Sequence, residues 1–336
     1  MSNPLAHISG AASVRTARLL HRYDRVLRRR SPLGHPPTSV ERLLIAIPHW
    51  RPTGSTADAK QSGSADERTA RLLNCISSLR EIPSAGTDIV VFTNRAEETE
   101  ARLRHSFDAS VSIAAAARAL EPNGLKELRL TVTAWRPGRL YRHGFGLSWA
   151  HKPLFRAALD VGNISHLLYL EDDMLFGPAN LDYWVWGRQC LHGTGLIPGF
   201  VRFERFSGDS WLTDLKSSIP RPHDTVPTMD DAEWFSMPNP YQALYVLDRA
   251  LAIDHFQRSP SRSRIRSRMR PHDDLASASH GPIYDDAPAP QRWRTVVPLG
   301  PEGIHSAALV EHTSANYAAD PSTALGSIRL SEVFDG

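Results

Sequence analysis

The sequence predicts an α/β protein built on a mostly parallel β-sheet that is flanked by helices. Three observations support this class. Continuous apolar runs at 42–48, 88–94 and 166–170 have the composition of strands that are covered on both faces. Helical patterns separate these runs, and alternating strands and helices are typical of parallel sheets. The third run ends in three consecutive carboxylates at 171–173, where the carboxyl end of a strand would lie.

The first half of the chain contains the most regular pattern. Pro153, in the first turn of one predicted helix, and Gly162, just past its end, occupy positions that these residues favour. Asp66 is predicted to cap the preceding helix. The elements expected in chain order are a strand at 42–48, a polar loop at 49–65, a helix from Asp66, strands at 88–94, 111–114 and 128–133, a helix at 150–160 and a strand at 166–170.

The second half is less regular. Six arginines between 258 and 270 nearly alternate with other residues. They predict a loop beside the site that closes over substrate or faces an anionic acceptor, or a simple disordered insertion. This run lacks the interleaved aromatic residues of a single-strand binder, which argues against nucleic acid as a partner. The elements expected here are a helix at 180–191, a strand at 196–203, loops over 211–240, a strand passing into a helix over 241–256 and a last strand at 306–311.

Residues 1–40 are predicted to form a basic N-terminal helix and a linker. Between Arg15 and Arg30 the apolar residues recur at helical spacing, and the segment ends in three arginines. Such a helix can lie on an anionic membrane face, or it can pack on the main domain with its basic face solvated. We expect one domain at 41–330, divided into halves at 41–176 and 177–330.

Composition limits the class of protein and its compartment. The chain has 336 residues, of which 41% are apolar, and no apolar run approaches the roughly 18 residues of a membrane span. Cys75 and Cys190 have no paired spacing and lie in apolar helical patterns, so we expect buried thiols. Free thiols and the lack of a signal-peptide core predict a cytoplasmic protein, with peripheral contact at the inner membrane face if the basic helix binds lipid.

The acidic run at 171–173 is interpreted as a ligand site. Adjacent carboxylates repel one another, and unpaired charge beside an apolar core is costly. A divalent cation would relieve this repulsion because hard cations take oxygen ligands. A solvated acidic turn is the alternative that the pattern by itself leaves open. Ligands of open parallel sheets bind beyond the carboxyl ends of the strands, where the run and the loop at 49–65 would both lie.

Further short motifs accompany the acidic run. They lie at 148–152 (Ser-Trp-Ala-His-Lys), 199–204 (Gly-Phe-Val-Arg-Phe-Glu), 239–243 (Asn-Pro-Tyr-Gln-Ala) and 310–313 (Val-Glu-His-Thr). Together with Leu-Tyr-Leu-Glu-Asp-Asp, this ordered set resembles the GT-A-fold glycosyltransferases. The acidic run is similar to the Glu-Asp-Asp form of their Asp-x-Asp motif, as in the N-acetylglucosaminyltransferase I type. The resemblance implies a Rossmann-like sheet for the nucleotide and an irregular acceptor-side half.

The resemblance also implies individual roles. Asp173 would bind Mn²⁺ or Mg²⁺, and His312 would complete the metal or diphosphate site. Glu171 and Asp172 would hydrogen-bond the nucleoside. The remaining nucleoside contacts would come from the ends of the first two strands, at Pro48, His49, Trp50, Arg51 and Asn94.

Residues outside the motif are assigned from their chemistry. Lys152 could supply positive charge to the donor's phosphates, or it could be a solvated residue at a helix start. His151 could face the donor or cap the helix. Transfer to a hydroxyl also needs a base, for which Asp231, Asp273 and Asp274 are candidates. Asp273 and Asp274 also fit a helix start, where acids stabilise the helix dipole.

The predicted function is metal-dependent hexosyl or N-acetylhexosaminyl transfer. The donor would be a nucleotide sugar, UDP-linked, and the acceptor a glycan or another hydroxyl compound. A metal-dependent phosphohydrolase or nuclease is one alternative, although such enzymes collect several acids and histidines around two metals. A non-catalytic domain that binds glycan or phosphate on the same fold is another.

Overall fold

The fold is mixed α/β and is taken from a computed structural model. The predicted basic helix and the arginine run at 258–270 lie outside the residues that the structure describes. The described residues are 35–51, 64–84, 86–107, 112–115, 128–134, 144–220, 226–227, 232–257, 287–288, 291, 293–301, 303–320 and 322–335.

The elements are numbered in chain order. The helices are α1 (Ala65–Arg80), α2 (Ala96–Ser106), α3 (His151–Val161), α4 (Pro178–Cys190) and α5 (Arg249–Gln257). The first nine strands are β1 (Arg42–His49), β2 (Gly86–Thr93), β3 (Ser112–Ala115), β4 (Leu128–Ala134), β5 (His166–Leu170), β6 (Met174–Leu175), β7 (Ile197–Pro198), β8 (Val201–Phe206) and β9 (Asp209–Leu212). They are followed by β10 (Ile219–Pro220), β11 (Val226–Pro227), β12 (Glu233–Phe235), β13 (Leu244–Asp248), β14 (Thr295–Gly300), β15 (Gly303–Ile304), β16 (Leu309–His312), β17 (Ile328–Arg329) and β18 (Phe334–Asp335).

The central sheet confirms the expectation of a mostly parallel sheet. Its six strands have the order β13-β5-β1-β2-β4-β3. β1 lies in the middle and pairs in parallel with β2 and β5, whereas the edge strand β13 runs antiparallel to β5. The side chains of β1 from Leu43 to Ile47 are fully buried, as expected for a strand covered on both faces. All the parallel strands therefore direct their carboxyl ends toward one edge of the sheet.

Helix α1 begins with a capping box, and the prediction that Asp66 caps this helix is wrong. The cap is Ser64, whose hydroxyl accepts the backbone N–H of Glu67, while the Glu67 carboxylate accepts the N–H of Ser64. This reciprocal pair satisfies two of the N–H groups that a helix start leaves free, so it outcompetes Asp66, which lies in the first turn. Helix α2 is not among the predicted elements.

A second sheet, of order β17-β9-β8-β16-β6, packs in the less regular half and carries part of the site. Three predictions in this half are corrected. The strand expected at 196–203 is split into β7 and β8, because β7 pairs with β14 whereas β8 pairs with β9 and β16 of the second sheet. The strand expected at 306–311 starts as a 3₁₀ turn, Ser306–Ala308, before β16. The segment expected as loop at 211–240 includes the short strands β10, β11 and β12 and the end of β9.

The predicted end of helix α3 and the predicted buried thiols are confirmed. Helix α3 ends where expected, with Gly162 in the left-handed region at φ 84°. Cys75, in α1, and Cys190, at the end of α4, are both buried, and no disulfide joins these two described residues. Within the described ranges, none of the helices has the length and apolar character required to cross a bilayer.

Candidate functional site

The acidic run forms the turn between β5 and β6, at the carboxyl edge of the central sheet. The N–H of Met174 donates to the carbonyl of Glu171 and closes this turn. β6 then pairs antiparallel with β16, so that Met174 lies opposite His312. The two sheets therefore meet at the acids, and strand register brings a histidine from the end of the chain beside them.

Asp173, His312 and Glu204 form a hydrogen-bonded line across the second sheet. Asp173 Oδ2 lies 3.1 Å from His312 Nε2, and Glu204 Oε1 lies 2.7 Å from His312 Nδ1. β16 runs parallel to β8, which places Glu204 on the far side of the histidine. The Glu204 carboxylate also accepts backbone N–H groups from three consecutive residues, Asn316, Tyr317 and Ala318. This carboxylate is thereby fixed, and it fixes the imidazole in turn.

The charges along this line stabilise one another. Burial lowers the pKa of His312, but the charge and hydrogen bond of Asp173 and the hydrogen bond of Glu204 outweigh it and raise that pKa to about 9. Burial opposes ionisation of Asp173, yet the charge and hydrogen bond of His312 hold its pKa well below the usual range. The pKa of Glu204 is also lowered, because hydrogen bonds from His312 and backbone N–H groups outweigh burial. Without a metal, His312 is therefore an imidazolium between two carboxylates at neutral pH.

Glu171 has the opposite character. Burial, followed by the charge of Asp173, raises the pKa of Glu171 to about 8, against the opposing effects of Arg202 and other donors. The hydroxyl of Tyr241 donates to Glu171 Oε1 at 3.2 Å. Two carboxyl groups separated by one residue are thus driven apart in pKa by their surroundings.

Asp172 pairs with His49 at the end of β1. Asp172 Oδ2 lies 2.5 Å from His49 Nδ1, and the His49 ring is fully buried. His49 Nε2 has no hydrogen-bond partner among the described residues. A proton on Nδ1 is favoured by the carboxylate, which leaves Nε2 as an acceptor that a bound ligand could use. Pro48, the residue before it, is half-buried.

Arg51 and Asn94 join the ends of β1 and β2. The Asn94 amide accepts the backbone N–H of Arg51 at 2.9 Å and donates to its carbonyl at 2.8 Å. The Arg51 guanidinium is buried and makes an ion pair with Glu98 of α2 at 2.8 Å. Its Nη1 has no hydrogen-bond partner in the described part of the chain. The structure thus brings the predicted residues Arg51 and Asn94 together and leaves a buried donor between the strand ends.

His151 and Lys152 point into the interior at the start of α3. His151 Nδ1 lies 2.7 Å from the carbonyl of Ser148, so it donates there, and Nε2 accepts from the hydroxyl of Tyr245. Burial, with the charge of Lys152, lowers the pKa of His151 well below its usual value, so the ring is neutral. Lys152 Nζ lies 3.3 Å from both the Tyr245 hydroxyl and His255 Nε2. These contacts favour a packing role for His151. Contacts of His151 and Lys152 with the nucleotide-sugar donor remain predictions.

The residues fit a divalent cation only in part. Within the described ranges, no group of three or more His, Cys, Asp or Glu side chains is arranged to hold a metal. Asp173 Oδ1, however, is buried without a hydrogen-bond partner there. The 3.1 Å between Asp173 Oδ2 and His312 Nε2 also suits neighbouring ligands, since two atoms about 2.1 Å from one ion lie about 3 Å apart at right angles. The pair fits an ion whose other ligands come from substrate and water.

The structure does not describe the three candidate bases, and it adds Glu204, which was not predicted. Asp231, Asp273 and Asp274 lie outside the described residues, and their roles remain predictions. Glu204 was not predicted, although it belongs to the motif at 199–204. It is a single acid late in a strand, and only the pairing of that strand with β16 gives it a partner.

No protein-family model matches the chain, and no curated protein matches its sequence at a significant level.

Proposed function

We propose that the chain is a metal-dependent glycosyltransferase that takes a nucleotide sugar, UDP-linked, as donor and a glycan or another hydroxyl compound as acceptor. The observation that carries this proposal is the Asp173–His312–Glu204 line at the carboxyl edge of the central sheet. Beside it, Asp173 Oδ1 is buried and has no hydrogen-bond partner in the described part of the chain. Ligands of such sheets bind at this edge. The buried thiols of Cys75 and Cys190, which no disulfide joins, support a reducing compartment, the cytoplasm.

Asp173 and His312 would hold Mn²⁺ or Mg²⁺ in this proposal. When bound, the ion supplies positive charge to the diphosphate leaving group as the sugar bond breaks. Glu204 would act through His312: it accepts a hydrogen bond from Nδ1–H and would so leave Nε2 available to the ion, as carboxylates beside ligating histidines do. The substrate's phosphates and water would complete the ligand set, because Mg²⁺ is commonly held by one or two protein carboxylates.

The nucleoside would lie against the ends of β1 and β2. His49 Nε2 offers an acceptor and Arg51 Nη1 offers a donor, and both atoms are buried without a partner among the described residues. Leaving a buried polar atom unpaired costs about 1–3 kcal/mol. A ligand that pairs with both atoms recovers that free energy, so these two positions favour a nucleobase or ribose with both kinds of group. Glu171 and Asp172 would bind the remaining hydroxyls.

The proposal is tested by thermal unfolding with nucleotides. UDP with MnCl₂ should raise the unfolding midpoint of the unmodified protein, and UDP with EDTA should raise it less. Asp173→Asn should abolish the metal-dependent part of the shift. Asp160→Asn is the matched control, because Asp160 is an exposed acid on α3. If no nucleoside diphosphate shifts the midpoint with either metal, the proposal is wrong.

Activity then separates this function from its alternatives. A glycosyltransferase releases UDP from UDP-glucose, UDP-galactose or their N-acetylamino forms, and adding acceptor accelerates the release. Release of inorganic phosphate from UDP or from a phosphodiester would instead identify a phosphohydrolase. Binding of UDP and metal without sugar release from any of these donors would identify a binding domain.

A further inference from the structure

Tyr241 connects the segment before β13 to the acidic run. Its hydroxyl donates to Glu171 Oε1 at 3.2 Å, and its ring is half-buried. The contact joins residues 70 positions apart in the sequence. Because β13 runs antiparallel to β5, the residues that precede β13 lie beside the residues that follow β5. Tyr241 is therefore placed by the sheet itself.

The backbone of the same segment also holds Glu171. The N–H of Glu171 donates to the carbonyl of Ala243 at 3.1 Å. Ala243 has φ 53°, a left-handed conformation that residues with a Cβ adopt only when their surroundings impose it. Gln242, which is buried, fixes the turn because its amide accepts the N–H of Phe200 at 3.0 Å. Both the main chain and the side chain of Glu171 are thus held by one turn.

Arg202 and Asp214 hold the Tyr241 ring from its other side. The Arg202 guanidinium carbon lies 4.3 Å from the centre of the ring. The Asp214 carboxylate binds the same guanidinium through both oxygens, at 2.7 Å and 3.0 Å. Arg202 is buried, so separating it from this carboxylate would leave a buried charge without compensation. A cation fixed in this way keeps the ring in one place by cation–π attraction.

We propose that Tyr241 is a positioning residue for Glu171, and that Arg202 and Asp214 set the position of Tyr241. The inference rests on the proposed function, in which Glu171 binds the nucleoside. A glutamate side chain that is free to change rotamer must lose that freedom when it binds a ligand. The Tyr241 hydroxyl removes this cost in advance by holding one carboxyl oxygen, so that the other can face the ligand.

Tyr241→Phe tests the inference because it removes only the hydroxyl. The matched control is Tyr183→Phe, which removes a buried hydroxyl that donates to the carbonyl of Gly199 at 2.7 Å. UDP affinity is measured by calorimetry with saturating MnCl₂, and Mn²⁺ affinity without nucleotide by electron paramagnetic resonance. We expect Tyr241→Phe to weaken UDP binding about tenfold, as loss of a hydrogen bond to a carboxyl group does. Mn²⁺ affinity should stay within twofold, and the control should bind UDP normally.

A double-mutant cycle distinguishes positioning from general packing. In a Glu171→Ala background, Tyr241→Phe should cost less than twofold in UDP affinity, because the group it positions is gone. Asp214→Asn, which releases Arg202, should weaken UDP binding in the unmodified background and not in the Glu171→Ala background.

Three results would contradict these expectations. A Tyr241→Phe variant that binds UDP like the control overturns the inference alone. A tenfold loss that persists in the Glu171→Ala background also overturns it, since the effect would then not pass through Glu171. Absence of UDP binding by the unmodified protein overturns the proposed function, and the inference with it.

Discussion

The charge on His312 in the metal-free protein gives the sharpest prediction. Its pKa is raised from 6.5 to about 9, which corresponds to about 3 kcal/mol at about 1.4 kcal/mol per unit. A group whose pKa is raised on folding stabilises the fold fully below its unfolded value and loses that contribution as pH rises through its folded value. Stability from His312 should therefore be complete at pH 6 and absent above about pH 9.5.

The assay compares two proteins that share one background. The stability that Glu171 contributes to the fold is lost over an overlapping pH range, because its pKa is raised from 4.5 to about 8. Both proteins therefore carry Glu171→Gln, and one also carries His312→Asn. Urea unfolding with EDTA at pH 6, 7.5 and 9.5 should show the protein with His312 losing about 3 kcal/mol more than the other between the extremes.

One result would refute this reasoning. If the two unfolding free energies change in parallel between pH 6 and pH 9.5, His312 is not protonated between Asp173 and Glu204 in the folded protein. Mn²⁺ added at pH 7.5 gives a second check, because metal binding must displace the proton from His312 Nε2. The number of protons released, measured by calorimetry in buffers of different ionisation enthalpy, should then be close to one per site.

Three further predictions concern orientation, packing and acid stability. Glu204→Gln should weaken Mn²⁺ binding about 10–100-fold, as loss of a carboxylate behind a ligating histidine does; unchanged affinity in electron paramagnetic resonance would contradict this. Gly187→Ala should destabilise the fold by about 1–3 kcal/mol, because its Cβ would lie 2.7 Å from Pro198. Gly86→Ala, with its nearest atom at 3.9 Å, is the matched control in urea unfolding. Burial lowers the pKa of His166 to about 4, so between pH 6.5 and pH 4 the unmodified protein should lose about 3 kcal/mol more stability than His166→Phe in unfolding measurements.

The strands of the central sheet could be predicted because their signal is local. β1, β2 and β5 are continuous apolar runs, and each lies within two residues of its expected bounds. The start of α1 was missed because Ser64 and Glu67 act as a reciprocal pair, and Asp66 is an equally acceptable cap on residue type alone. The break at Gly199 was missed because its two sides pair with β14 and β16, which are distant in the sequence.

The candidate site also contains residues that were predicted from the sequence and residues that were not. Asp173 and His312 were expected together from the resemblance, and the structure places them 3.1 Å apart. Glu204 and the side-chain contact of Tyr241 were not expected. Both residues lie in the short motifs at 199–204 and 239–243, but nothing within those motifs identifies their partners, which are 108 and 70 residues away.

The sequence by itself determined the central strands β1, β2 and β5 and the acids at the end of β5, because each depends on neighbouring residues and on the period of the chain. Only the tertiary structure decided which partner each acid has. β1 supplies His49 to Asp172, β16 supplies His312 to Asp173, and Tyr241 binds Glu171. Strand register sets these partners across long separations, and for Glu171 and Asp173 the partners together with burial drive the two pKa values in opposite directions.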